Sequence, residues 1–424
     1  MKARDPLAVP LEGSSRAVNE DDRFGSLLPE GVFLVLVEMD WAQGACRFLR
    51  SDGKEAVFSD NPFPRFSDVI VKSTYFMKAN VIVMETEQGE LLGAELPTLE
   101  SMSPRDSRPV IYLDQKDWSS LANAIHDPVR LASAERKAAD RLIELTRDRK
   151  IILPMSSAHM AETCKWTDSA RRYRLALTIC QLSGGWQMQD PLTVRRQEFR
   201  RGLKNRFSGQ SVTSQDVFTL APNAIHSSRT RSHHSDIRGQ LPPDLQLAAD
   251  SMASLSGYFS VMLNKDAIQQ GETPGWVEKF QFITNWLAEQ EHNGQQKRRS
   301  TDAYFLDDAR KEIAEEAMEA GLTVDQLQDW IHGPWKNDVA QMPCVGLFRE
   351  VLHEKQVNGG TAWKANDLTD LMYLTCAAGY ADFVVAERSA ISQMKQATKR
   401  LKRADNLYRN LDELTSSGAL DGLW

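Results

Sequence analysis

Five acidic residues stand where a backbone can hold a carboxylate toward open space. Asp114 follows the apolar run Val110-Ile111-Tyr112-Leu113, and Glu387 follows Phe383-Val384-Val385-Ala386. Asp367 and Asp370 are spaced i and i+3, so both project from one side of the helix they begin. Glu162 belongs to the helical stretch that follows Ile151-Ile152-Leu153. Carboxylates gathered without cations repel one another unless divalent ions neutralise them. Mg²⁺ or Mn²⁺ held in this way lowers the pKa of a bound water and stabilises charge on a phosphodiester under in-line attack. The chemistry open to this set is metal-assisted hydrolysis of a nucleic-acid backbone.

Each acid also has a plain structural role. Asp114 and Asp367 can cap the helices that follow them, and Glu162 reads as a first-turn glutamate favoured by the helix dipole. Asp382 precedes its strand and so stands roughly 16 Å from Glu387, at the opposite sheet edge, counting ~3.3 Å per residue. Glu387 is therefore the site member. His159, beside Glu162, would assist proton transfer if it faced the same pocket.

The elements that position these acids are strands and helices in alternation. Val110–Leu113 is a buried-type strand, with helical patterns over 118–125 and 132–147, then the strand Ile151–Leu153 ended by Pro154. Strand, helix, strand favours a parallel βαβ unit, and the edge beyond the carboxyl ends of such strands is where reaction centres collect. The closing unit is a helix over 367–378 stopped by Gly379, the strand 383–386 and a basic helix from Arg388 to about Arg403. Helical patterns fill 245–263, 275–290, 303–320, 324–331 and 339–355.

The expected organisation is a poorly ordered segment 1–28, a small β domain over 29–104 and an α/β domain from 105–207 and 360–405. A helical insertion, 208–359, separates the two parts of that domain, and 406–424 forms a tail. The β domain shows apolar runs at 32–37, 46–49, 68–71 and 81–84, separated by turn signals such as Ser51-Asp52-Gly53.

Composition excludes several classes. Apolar content of 42% and charged content of 26% are ordinary for a globular protein of 424 residues. No run approaches the ~20 apolar residues of a membrane span, so a cytoplasmic protein is expected. The five cysteines show no C-x-x-C pair, which argues against a disulfide framework or zinc ribbon. Ser156 and Ser157 lack a Gly-x-Ser-x-Gly elbow, and no P-loop or Gly-x-Gly-x-x-Gly fingerprint occurs. Position 116 is lysine, which excludes a phosphatase pattern that needs a second aspartate two residues after the first.

In the order Val110-Ile-Tyr-Leu-Asp114, Ser157-Ala-His-Met-Ala-Glu162, Asp367 with Asp370, and Phe383-Val-Val-Ala-Glu387, the chain resembles the PIN-domain nucleases. The resemblance implies a Rossmann-like parallel sheet of PIN type, with Asp114, Glu162, Asp370 and Glu387 catalytic and Asp367 beside them as a further metal ligand. It implies Mg²⁺ or Mn²⁺ as cofactor, an RNA substrate, and in many members a toxin or defence role with an inhibitory or activating protein partner. Self-association is compatible with it, and no membrane is expected. The chain departs from the family at Glu387, where an aspartate in a Thr-x-Asp setting is usual, and in its long insertion. A catalytically silent PIN-like module that holds nucleic acid or protein is the alternative reading.

Net charge is −7, so any polyanion must be met by local basic surfaces. Two present themselves: Arg195, Arg196, Arg200 and Arg201 within 194–206, and Lys395, Lys399 and Lys402 on the last basic helix. His226, His233 and His234 lie in a Ser/Arg-rich loop over 208–240.

Overall fold

The computed structural model describes residues 29–59, 68–209, 216–226, 243–264 and 275–423. The segment 1–28 and much of the 208–240 loop, with His233 and His234, lie outside the described residues. The chain is mixed α/β, with an antiparallel N-terminal sheet and a mostly helical remainder.

The sheet contains β1 (Leu34–Asp40), β2 (Ala45–Arg50), β3 (Glu55–Phe58), β4 (Ile70–Phe76), β5 (Val81–Thr86) and β6 (Leu91–Glu95), paired in the order β3-β2-β1-β4-β5-β6. β3 and β6 go beyond the runs read from sequence, because Glu55, Gly93 and Glu95 dilute their apolar pattern.

Next come β7 (Ile111–Leu113), α1 (Gln115–His126), α2 (Ser133–Arg147), α3 (Ser157–Cys164), α4 (Ser169–Ser183), β8 (Gln187–Met188) and α5 (Pro191–Ser208). After β9 (Phe218–Thr219) follow α6 (Pro243–Leu263), α7 (Trp276–Glu289), α8 (Gly294–Glu319), α9 (Val324–His332), α10 (Trp335–Gln341) and α11 (Pro343–Val357). The chain closes with α12 (Asp367–Tyr380), β10 (Phe383–Val385), α13 (Arg388–Arg400), β11 (Leu407–Tyr408) and α14 (Leu411–Ser416).

The parallel sheet is small. β10 lies between β7 and β11, parallel to both, and beyond β7 only isolated parallel bridges, Val110 to Ile152 and Met155 to Gln187, carry the pairing further. Pro154 sits between those two bridges, and without an N–H it cannot continue a ladder.

β7 is buried on both sides and divides its residues between two cores. Ile111 and Leu113 join the core shared by the N-terminal sheet, α1, α2, α4 and α6. Val110 and Tyr112 join the core of α5, α7–α8, α11–α13 and their neighbours. This is the period-2 alternation of a strand covered on both faces.

The 208–359 segment is divided in the same way. Ala248, Met252, Leu255 and Phe259 of α6 pack beneath the N-terminal sheet, while Phe280, Phe305, Trp330 and Phe348 of the later helices join the second core. The segment is thus built into both layers rather than standing apart as one insertion. Gly379 does not stop α12, which runs on to Tyr380. A Cβ at Gly379 would meet the Pro343 carbonyl carbon at 2.7 Å, so the glycine lets α12 lie directly against the start of α11.

Candidate active site

Because β7 and β10 are adjacent and parallel, the acids that follow them, Asp114 and Glu387, emerge at one edge. α12 carries Asp367 and Asp370 to that edge, and α3 carries Glu162. All five line a single cleft of about 920 Å³, together with Gln115, Lys116, Trp166, Lys355 and Lys364.

Asp114 fills both roles weighed from the sequence. Its Oδ1 accepts the Gln115 N–H at 2.8 Å and so caps α1, yet the carboxylate still faces the cleft. Burial raises its pKa, the Gln115 N–H pulls it back, and the Glu387 charge adds to the rise. Glu162 is not a first-turn residue. It lies near the C-terminal end of α3, where the helix dipole disfavours a carboxylate. Burial, then the charges of Asp370 and Asp114, push it up to about 7. Asp370 is pushed up to about 6 by burial and then by Asp114 and Asp367. Asp367 accepts the Lys364 N–H at 2.8 Å and pairs with Lys355 at 3.4 Å, so it has a cation at hand. Glu387 is exposed at the start of α13, and its side chain makes no capping bond there.

No family model, curated protein or solved structure matches this chain. What the site can do must come from its own geometry.

Two polar groups at the site were not singled out from sequence. Gln115 is 7% exposed; its Nε2 donates to Thr163 Oγ1 at 2.9 Å, while its Oε1 has no protein donor among the described residues. Asp117 is buried behind the cleft wall with one carboxylate oxygen unpartnered, and burial, then the Asp114 charge, push it up to about 7. The i, i+3 spacing of Asp114 and Asp117 was the available signal.

His159 takes a different part from the one expected. It is buried, its Nδ1 accepts the Ser156 N–H at 3.1 Å, and its Nε2–H donates to the Leu113 carbonyl at 2.8 Å. Burial pushes its pKa down to about 4, so the ring is neutral at pH 7. It pins the strand end from which Asp114 springs and has no free nitrogen for proton transfer. Asp382 lies at the opposite edge, as expected, where Oδ2 accepts the Val110 N–H at 2.7 Å and pairs with Arg105.

The four arginines of α5 singled out from sequence are engaged by protein groups, with Arg195 buried and Arg200 still partly exposed. Arg195 pairs with Glu312 at 2.6 Å, Arg196 with Glu315 at 2.5 Å and Arg200 with Glu316 at 2.6 Å, all on α8. Arg201 donates to the Tyr380 hydroxyl at 2.9 Å. The four arginines expected to track phosphates are thus already engaged by carboxylates and a phenol, and they are no part of the cleft. Lys395 pairs with Asp405 at 3.2 Å. Lys399 and Lys402 are exposed and, among the described residues, without ion pairs, but Lys399 lies about 18 Å along α13 from Glu387 at ~1.5 Å per residue. His226 makes a ring contact with Tyr258, away from the cleft residues.

The acids of the cleft offer only oxygen donors, which suits hard cations such as Mg²⁺ and Mn²⁺. Gln115 Oε1, at the same edge, is a buried side-chain acceptor of the cleft lining without a donor among the described residues. Among the described residues no three His, Cys, Asp or Glu side chains are drawn closely enough together to grip an ion unaided. Mg²⁺ commonly keeps several waters and takes one or two carboxylates, and a roomy acidic cleft fits that mode. Among the described residues no helix is long and apolar enough to cross a membrane.

Proposed function

We propose that this protein is a divalent-metal-dependent nuclease of PIN type that hydrolyses phosphodiester bonds in RNA. One observation carries the reading: acids from four separate elements line one cleft at the carboxyl edge of parallel strands, and burial with mutual repulsion raises the pKa of Asp114, Glu162 and Asp370. The order of these acids along the chain also supports the PIN assignment, for which the small sheet would be a reduced version of the Rossmann-like core.

In this reading Asp114, Asp370 and Glu387 hold the ion and Glu162 completes the set. The ion, when bound, supplies charge neutralisation for the phosphate and a water acidified for attack. Glu162, pushed up to about 7 in the metal-free cleft by burial and by Asp370 and Asp114, would return to the carboxylate form as a cation binds. His159 fixes the Leu113 carbonyl, and with it the direction in which Asp114 points.

The test is incubation of wild type and Asp370→Asn with tRNA, mRNA and single-stranded DNA, in Mn²⁺ or in EDTA. Wild type cleaves RNA in Mn²⁺ alone, and the variant loses at least ~100-fold of that rate. Equal cleavage by both proteins would refute the site assignment. No cleavage of any substrate would favour a binding module without catalysis.

A further inference from the structure

Among the acids the cleft also carries an aromatic ring and cationic side chains. Trp166 lines it four residues after Glu162, just past the end of α3. Its ring is half-buried, and the Arg171 guanidinium lies 4.7 Å from the ring centroid. Among the described residues the indole N–H has no acceptor. Next to it Lys165 Nζ reaches Asn366 Oδ1 at 2.9 Å, tying the end of α3 to the loop before α12. Lys116 and Lys364 also line the cleft, both exposed and, among the described residues, neither with an ion-pair partner.

Resting on the nuclease reading of this cleft, we infer that Trp166 is a base-stacking residue that seats one unpaired nucleobase beside the acids, with Lys116 and Lys364 meeting the flanking phosphates. An indole backed by a guanidinium presents a flat, polarised surface, and stacking of bases on such surfaces tolerates any sequence. In the free cleft the carboxylates balance these ammonium groups, Lys116 favouring the charged form of Asp114; a divalent cation that neutralises the acids would release the lysines to meet phosphates. A neutral sugar would use the ring but gain nothing from the lysines. A duplex keeps its base faces stacked inside, so the ring selects single strands. Trp166 sets the register of the strand relative to Asp114 and Asp370.

Binding tests this apart from catalysis. The parent protein is Asp114→Asn, which cannot turn over in the proposed scheme, and the probes are a labelled 12-nucleotide RNA, its DNA equivalent and the RNA duplex, in EDTA and in Mg²⁺. Adding Trp166→Ala should weaken single-strand binding roughly 10- to 100-fold, and Trp166→Phe should recover most of it. Lys116→Ala should instead lower the salt dependence of log Kd by about one. Photocrosslinking of bromouracil-substituted RNA to the parent should map to Trp166, which covers the case that the alanine variant fails to fold. DNA bound as tightly as RNA would leave the stacking role intact and show that the ring does not read the sugar.

Unchanged single-strand affinity in a folded Trp166→Ala protein would overturn the inference. So would duplex bound as tightly as single strand, or crosslinks only at other residues. If wild type never cleaves RNA but binding depends on Trp166, the nuclease reading fails and the stacking residue stands. If wild type cleaves and Trp166 is irrelevant to binding, the reverse holds.

Discussion

Buried carboxylates without their own cations make stability depend on pH. Unfolded, Asp370 and Glu162 titrate near ~4, whereas in the folded cleft they do so at about 6 and about 7. The folded state therefore binds more protons between these values. The stability these groups contribute is fully present below about pH 4 and is lost as pH rises through 6 to 7. His159 has the opposite sign: pushed down to about 4, it contributes stability above about 6.5 that is lost as pH falls toward 4. Comparing Tm in Mn²⁺ and in EDTA isolates the carboxylates. The gap between the two should widen by a few °C, in order of magnitude, from pH 5 to pH 7.5, and Asp370→Asn should narrow it; a gap that ignores pH would count against a cation at these acids. His159→Ala removes both ring hydrogen bonds and should cost about 2–4 kcal/mol in urea unfolding. Stability equal to wild type would mean that the ring does not hold the strand end.

Helix α5 shows why one class of contact resists reading from sequence. Its arginines look like a phosphate track, but Arg195, Arg196 and Arg200 have their partners on α8 and Arg201 its own on α12, more than a hundred residues later, and no local pattern announces such a pairing. Glu316 is fully buried and meets both Arg196 and Arg200. Replacing it with alanine leaves Arg196 with Glu315 but removes the Arg200 carboxylate and empties a fully buried site, and about 1–3 kcal/mol of destabilisation is expected, read by thermal or urea unfolding; the affinity of the folded variant for RNA should not change. If Arg196→Ala lowered RNA affinity in a folded protein, α5 would regain its place as a binding surface. By contrast, the acids that follow β7 and β10 were legible because strand, acid and helix start are contiguous in the chain. Gln115 was not, since burial alone sets it apart, and for Asp117 the i, i+3 spacing from Asp114 was a signal that many exposed helix pairs share. Gly379 was read as a helix stop on its local rule, yet its function lies in the close approach of α12 to α11. Gly379→Ala should therefore destabilise by about 1–3 kcal/mol through a clash with backbone, measurable as a lowered Tm.

At the scale of the molecule, the sequence divided the chain by composition, whereas its packing divides it by core. The N-terminal sheet was legible as β from its alternation and turns. That α6, from the first half of the 208–359 segment, would cover it was not, because an apolar helix does not name the face it seeks. A fragment of residues 1–104 leaves Val37, Met39, Phe48 and Ile82 without the cover of α6. It should fail to give a cooperative unfolding transition by circular dichroism, and a sharp two-state melt would show that the sheet is self-sufficient. β7 ties the two cores together, with alternate side chains set in each. The height at which Asp114 enters the cleft is thus fixed jointly by side chains on both faces, and loosening either core tilts the strand that carries it. Turnover should accordingly be sensitive to mutations under the distant N-terminal sheet that touch no residue of the cleft, and the amides of Ile111–Leu113 should be among the slowest in the protein to exchange with solvent.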